Sequence, residues 1–240
     1  MSKAGYVHSL QSLGTLDGPG VRAVVFTEGC PLRCIYCHNP DTWECRKDDI
    51  CSSEELAEKI LRLYPYIKNG GVTFSGGEPC LQADFIYDAA KRLKERGLHI
   101  ALDTCGAVYN DAVERLLTLT DLVLLDIKMT TEEDYERYIG GKLSDVIFFL
   151  GKLEKLGIAT TVRHVVVGGI NDTAEDMERL ASLIGGYTCV REVELLPFKK
   201  LCSEKYRSLG IPFLLEDTPQ MSESELSRLK SYFDEIRRKN

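Results

Sequence analysis

Apolar, β-branched runs recur along the chain at 21–26, 71–74, 99–102, 122–127, 159–167 and 190–196. Short runs of this kind, rich in Val, Ile and Leu, predict six buried strands. Amphipathic stretches lie between them at 53–64, 84–96, 112–119, 131–156 and 173–184, the fourth interrupted near Gly140, and these predict helices. A last charged stretch, 222–238, predicts a helix packed across the sheet as a closing element. Regular alternation of strand and helix implies right-handed βαβ units and a parallel sheet covered on both faces. The fold class expected is therefore α/β, a partial TIM-like (β/α)6 barrel. Chemistry in such sheets gathers where loops leave the C-terminal ends of strands. There the chain carries GCPLRCIYCHN after the first predicted strand, SGGEP after the second, DTCG after the third and DIK after the fourth.

Composition adds bounds to this picture. At 240 residues, with 44% hydrophobic and 28% charged positions, the chain fits one globular domain over 1–240 and neither a disordered nor a fibrous class. A net charge of −7 argues against broad attraction to nucleic acid or to an anionic membrane, leaving small molecules and proteins as expected partners. The first twenty residues lack the cationic flank and apolar core of a signal peptide, and no run reaches the roughly 18 apolar residues of a membrane span. A cytoplasmic location is expected. In a reducing compartment, nine cysteines point to metal or redox chemistry rather than to a disulfide framework.

Cys30, Cys34 and Cys37 are spaced C-x3-C-x2-C, so one short loop aims three thiolates at a common centre. Soft sulfur ligands suit iron–sulfur clusters, zinc or cuprous copper. A structural zinc site wants four ligands, and the obvious fourth, His38, adjoins Cys37, which makes a closed tetrahedron awkward. Three ligands with one coordination position open is the simpler reading; a zinc-stabilised binding module and unligated core cysteines are the alternatives. Taken singly, Gly76, Gly77 and Glu78 read as a turn, Asp103, Asp126 and Lys128 as strand-end charges or an ion pair, and Asp17 as part of an Asp-Gly turn.

The stretch GTLDGPGVRAVVFTEGCPLRCIYCHNPDTW at 14–43, followed in order by SGGEP, LDTCG, LLDIK, VRHVVV and LLPF, resembles the radical S-adenosylmethionine activases of glycyl-radical enzymes. The match runs over nearly the whole chain. It implies a 4Fe-4S cluster on Cys30, Cys34 and Cys37, with the fourth iron chelated by the amino and carboxylate groups of S-adenosylmethionine. Reductive cleavage of the sulfur–C5′ bond would give a 5′-deoxyadenosyl radical, which takes a hydrogen from a glycine Cα of a partner enzyme. The resemblance places Gly76 and Gly77 at the methionyl amino group, braced by Glu78, and assigns Asp103 to that amino group and Lys128 to the carboxylate. It brings Arg163 to the cofactor's polar groups, puts Val165 near the adenine, and lets Tyr36, His38 and Leu196 line the adenine pocket. Asp103, Thr104, Asp126 and a carbonyl near Leu124 would hold a monovalent cation, and Asp17 would contact the substrate's glycine loop. The family's histidine after the sixth strand is replaced by Lys199, a donor without a neutral imidazole.

The implied partners are a glycyl-radical enzyme as protein substrate and a flavodoxin or ferredoxin type electron donor, in anaerobic metabolism. Many relatives carry a ferredoxin-like insert after the first cysteine motif. Here only Cys45 and Cys51 precede the second predicted strand, too few for another four-cysteine cluster, which favours the branch acting on pyruvate formate-lyase. Cys80, Cys105, Cys189 and Cys202 are expected as small buried hydrophobes. The alternatives within radical chemistry are a small-molecule substrate or another glycyl-radical enzyme.

Overall fold

The computed structural model describes residues 2–46 and 50–239. Its strands are β1 (Ala4–Gly14), β2 (Arg22–Thr27), β3 (Ile50–Ser52), β4 (Gly71–Gly76), β5 (Ile100–Thr104), β6 (Leu122–Asp126), β7 (Ala159–Val166) and β8 (Val190–Pro197). They form one sheet in the order β3-β1-β2-β4-β5-β6-β7-β8. From β2 through β4, β5, β6 and β7 to β8 every pairing is parallel. These six are the predicted strands.

Two strands carried no apolar run and were not expected. β1 pairs antiparallel with β2, and β3 antiparallel with β1. β1 is half-solvated, with only Gly5 and Gly14 buried and Ala4, Ser9 and 11–13 exposed, so it lacks the two-sided burial that makes the parallel strands legible. β3 spans three residues, too few to show a period. The sheet does not close: β3 and β8 are its two edges, and the barrel is open on that side.

The helices are α1 (Ser53–Leu61), α2 (Tyr64–Ile67), α3 (Ala83–Lys94), α4 (Asp111–Leu117), α5 (Glu132–Asp134), α6 (Leu143–Leu156), α7 (Ala174–Ile184), α8 (Ser203–Leu209) and α9 (Glu223–Lys239). The predicted stretch 131–156 is broken into α5, a π turn at Tyr135–Ile139 and α6, with Gly140 at the break. Ser52 with Glu55 and Thr173 with Asp176 form reciprocal capping boxes that start α1 and α7. Helix cover leaves the central strands dry: Val24, Val25, Val72 and Phe74 are all fully buried. Each such side chain contributes about 1.5–3 kcal/mol relative to exposure. The final helix, α9, packs on α7 and on β8, beside the open side of the barrel. Among the described residues no helix is long and apolar enough to cross a membrane.

Removing one capping partner tests the local account. Thr173→Ala should destabilise the protein by about 1 kcal/mol, read as a Tm lower by about 2–4 °C in thermal unfolding.

Candidate active site at the strand ends

The cysteine loop leaves the end of β2 and has no regular structure of its own, yet its backbone is tied down. Gly29 and Cys30 donate to the carbonyls of Thr42 and Trp43, at 2.8 and 3.2 Å. Arg33 and Ile35 donate to Ile139 and Tyr138, at 2.9 and 3.0 Å, so the π turn after α5 serves as a backing strip for the loop. The Arg33 guanidinium lies over the Trp43 ring at 4.9 Å and donates to the Cys30 and Leu32 carbonyls. Cys34 is buried, while Cys30 and Cys37 are partly exposed. Burial pushes the Cys34 thiol up to about 12 and the Cys30 thiol up to about 11. Cys37 is raised for the same reason. All three are therefore protonated at neutral pH in the protein alone, and become thiolates only when a cation compensates them.

The turn after β4 is moulded onto the start of this loop. Gly77 and Glu78 donate from their amides to Thr27 and Gly29 carbonyls, at 2.8 and 2.7 Å. Gly76 has φ +116, and a Cβ there would lie 2.2 Å from the Thr27 amide; one on Gly77 would lie 2.3 Å from the Gly29 carbonyl. No larger residue fits either position. Glu78 is fully buried, and its carboxylate accepts from the Cys80 amide at 2.9 Å, the Thr104 hydroxyl at 2.7 Å and the Cys105 amide at 2.8 Å. One side chain thus binds the ends of β4 and β5 together.

Charges at the ends of β5, β6 and β7 form a continuous network. Arg163 bonds to Asp103 and, at 3.2 Å, to Asp126. Ser75 donates to the other oxygen of Asp103 at 2.6 Å, and Lys128 to the other oxygen of Asp126 at 2.9 Å. Burial raises the Asp103 carboxyl, and Arg163 and Ser75 do not fully reverse it. Burial also works against the Asp126 charge, but Lys128 and Arg163 together hold that carboxyl below the ordinary aspartate value. Lys128 is desolvated too, yet Asp126 keeps its ammonium protonated. The Lys128 backbone is fixed by two tyrosines: Tyr36 donates to its carbonyl at 3.2 Å, and its amide donates to Tyr135 at 3.3 Å.

These groups surround a cavity of about 310 Å³. Its lining brings together Cys30, Cys34 and Cys37 with Tyr36 and His38 from the cysteine loop, and Gly76 and Gly77 from the turn after β4. Asp103, Thr104, Asp126, Lys128, Arg163, Val165 and Leu196 complete it from the later strands, with Asp17 reaching in from the loop between β1 and β2. Glu78 sits behind the turn rather than in the lining. Lys199 also lies outside it: β8 ends at Pro197, and what Lys199 contributes is its carbonyl, which accepts from His38 Nε2 at 3.0 Å. Sequence reasoning missed Ser75, Phe26, Trp43 and Cys105, which also line the cavity. Ser75 and Cys105 stand inside or next to motifs already singled out, SGGEP and DTCG, and that adjacency was the available signal.

A second and larger cavity, about 1030 Å³, opens sideways where the barrel fails to close. It is bounded by the 15–19 loop, by the inner face of β8 with Glu192 and Glu194, and by Lys230, Phe233 and Asp234 of α9. Asp17, His38, Arg163 and Leu196 line both cavities, so the two adjoin across these four side chains.

Glu78→Gln replaces one accepting oxygen by an NH2 group and sets a donor against a donor. It should cost about 1–3 kcal/mol, seen as a Tm drop of about 2–10 °C, whereas an unchanged Tm would show that the turn does not depend on this carboxylate.

Comparison with known proteins identifies the family. The model of the Radical SAM superfamily matches residues 24–184. The chain is 42% identical over 234 residues to the pyruvate formate-lyase-activating enzyme of Clostridium pasteurianum, covering 97% of this chain and 98% of the relative. It is 40% identical over 222 residues to the enzyme of the same name from Staphylococcus epidermidis, covering 89% and 88%. Among solved structures it is similar in fold to Streptococcus suis SuiB bound to precursor peptide SuiA, with TM-score 0.71 and 14% identity over 90% of this chain and 45% of that one. A domain of a pyruvate-formate lyase-activating enzyme from Bacteroides vulgatus matches with TM-score 0.58 and 20% identity, covering 70% and 95%. With a partial barrel, a three-cysteine loop and these relatives along almost its full length, the chain belongs to the radical SAM superfamily and, within it, to the family of pyruvate formate-lyase-activating enzymes.

Proposed function

We propose that this protein, acting as a single domain, installs a glycyl radical on a pyruvate formate-lyase type partner, using a 4Fe-4S cluster and S-adenosylmethionine. The observation that carries the reading is the pair of adjoining cavities: a small one walled by cysteines and fixed charges, and a wide lateral one large enough for a polypeptide loop. A small-molecule substrate would not require so open a side. The donor set fits the cluster. Cys30, Cys34 and Cys37 all face the small cavity from one loop, whereas a structural zinc tetrahedron wants a fourth ligand. A four-iron cluster instead offers each of Cys30, Cys34 and Cys37 its own iron.

Bound there, the cluster and S-adenosylmethionine would supply one-electron reductive cleavage and, from it, the radical that abstracts the glycine Cα hydrogen. The chain's own residues hold and orient. The backbone of Gly76 and Gly77, with Asp103, accepts from the methionyl ammonium, while Lys128 and Arg163 donate to its carboxylate; the cavity thus presents both signs needed by a zwitterion. Tyr36, His38, Val165 and Leu196 wall the adenine side. Asp17 meets the incoming polypeptide at the junction of the cavities. A monovalent cation at Asp103, Thr104 and Asp126 would share carboxylate oxygens that each already accept one hydrogen bond, from Ser75, Arg163 or Lys128. Lys199 serves by orienting His38 through its carbonyl rather than through its ammonium. The electron donor is of the flavodoxin or ferredoxin type, and the protein works in the cytoplasm.

Reconstituted anaerobically with iron and sulfide, reduced and mixed with S-adenosylmethionine and pyruvate formate-lyase, the protein should give a glycyl-radical doublet in electron paramagnetic resonance. Cys34→Ala should abolish both the doublet and deoxyadenosine formation; deoxyadenosine from the wild type with no protein radical would refute the substrate. Lys199→Ala, which keeps the carbonyl, should change the KM for S-adenosylmethionine by less than about threefold, within the range of a surface change.

A further inference from the structure

The largest fully buried side chain of the described residues is a cation outside the cofactor cavity, Arg22 at the first position of β2. Among the described residues its guanidinium finds no carboxylate within hydrogen-bond distance. Nε donates to the Thr73 hydroxyl at 2.7 Å, one terminal nitrogen to the Pro19 carbonyl at 3.1 Å and to the Gly70 carbonyl, and the other to the Val72 carbonyl at 2.7 Å and toward His99. Burial pulls its pKa down to about 10, with Asp121 and Asp17 pulling the other way, so it remains charged at neutral pH. A buried cation satisfied by neutral acceptors is a demanding arrangement, and an apolar residue would fill the space with less desolvation.

What the cation holds is the loop that carries Asp17. Thr73 donates to the Asp17 carbonyl at 2.6 Å. A hydroxyl has one hydrogen and an arginine accepts nothing, so the direction of this relay is forced: Arg22 donates to Thr73, and Thr73 donates to Asp17. The loop is shaped around the same side chain. Gly18 has φ +115, and a Cβ there would come within 3.3 Å of Arg22 Cδ and Nε; Gly20 has φ +74 and sits against the Gly70 backbone. Neither Arg22 nor Thr73 lines either cavity, whereas Asp17 lines both.

We infer that Arg22 and Thr73 are positioning residues for polypeptide binding: their relay fixes the Asp17 backbone, and with it the place from which its side chain reaches the junction of the cavities, where the partner's glycine segment must be presented. The inference rests on the reading of the lateral cavity as the polypeptide's entry. It assigns the relay to capture of the protein substrate and not to the cofactor.

Thr73→Val keeps the volume and removes the hydroxyl, Thr73→Ser keeps the hydroxyl, and Arg22→Met removes the cation. In Thr73→Val the KM for the polypeptide should rise by about tenfold, the size of one lost buried hydrogen bond. The KM for S-adenosylmethionine should stay within twofold, and more than one deoxyadenosine should form per glycyl radical. Thr73→Ser should restore wild-type values. Arg22→Met should match Thr73→Val if it folds; if it does not, the Val and Ser pair decides alone. Amide hydrogen exchange at residues 15–20, measured on the protein without cofactor, should be faster in Thr73→Val and normal in Thr73→Ser. A lower Tm with both KM values unchanged, an equal rise in both, or unaltered exchange at 15–20 would overturn the inference. Failure of the wild type to label any glycyl-radical polypeptide would instead overturn the proposed substrate, and the exchange comparison would still decide whether the relay holds the loop.

Discussion

Arg163 binds Asp103 and Asp126 at once, and the charge balance at the C-terminal edge of the sheet rests on that guanidinium. Two carboxylates close together in a water-poor setting oppose each other's ionisation, and each would tend to hold its proton. The planar fork of an arginine answers both, which a lysine ammonium does less well. Because Asp103 is the penultimate residue of β5, Asp126 ends β6 and Arg163 lies on β7, the same contact also fixes three neighbouring strands relative to one another. The asymmetry within the pair has a plain cause. Asp126 has Lys128 as a second cation and is held ionised, while Asp103 has only the Ser75 hydroxyl and stays raised. Asp103 is thus the carboxylate with more to gain from a further cationic group.

The guanidinium groups of Arg163 and Arg22 are handled in opposite ways. Arg163 is met by carboxylates, and its pKa rises; Arg22 is met by carbonyls and a hydroxyl, and its pKa falls. The first arrangement makes an electrostatic surface that a charged ligand can engage. The second makes a rigid block around which backbone is folded, and its positive charge is still felt at Asp17 and His99. Both lie on the inside of the same open barrel, separated by function as well as by distance along the strands.

Much of this was legible in the sequence because parallel strands buried on both faces read as unbroken apolar runs, and because the strand ends carry short, unusual motifs. β1 stayed hidden since a half-solvated antiparallel strand alternates weakly, and β3 since three residues carry no period. Arg22 and Thr73 were equally invisible: a lone Arg and a lone Thr within β-strands have no local signature, and their contact spans 51 positions of chain. Lys199 lies outside the small cavity for a geometric reason. Strand parity predicts which side chains point inward only while the strand lasts, and β8 stops at Pro197, two residues earlier. The tie between Glu78 and the end of β5 likewise joins residues 26 and 27 positions apart, and only the fold brings them together.

The backing of the cysteine loop by residues 42–43 and 138–139 bears on how the metal centre is acquired. Ordering a free loop costs about 1–2 kcal/mol per residue in backbone entropy. Here that ordering is provided by amide-to-carbonyl bonds from Gly29, Cys30, Arg33 and Ile35, which involve no thiol. On the proposed reading, insertion of iron and sulfide would meet a loop already ordered by its backbone and would need chiefly the release of three protons from thiols that burial keeps neutral. Oxidative loss of the cluster would then strip the inorganic part and leave the peptide mould standing, so that repair amounts to refilling rather than refolding.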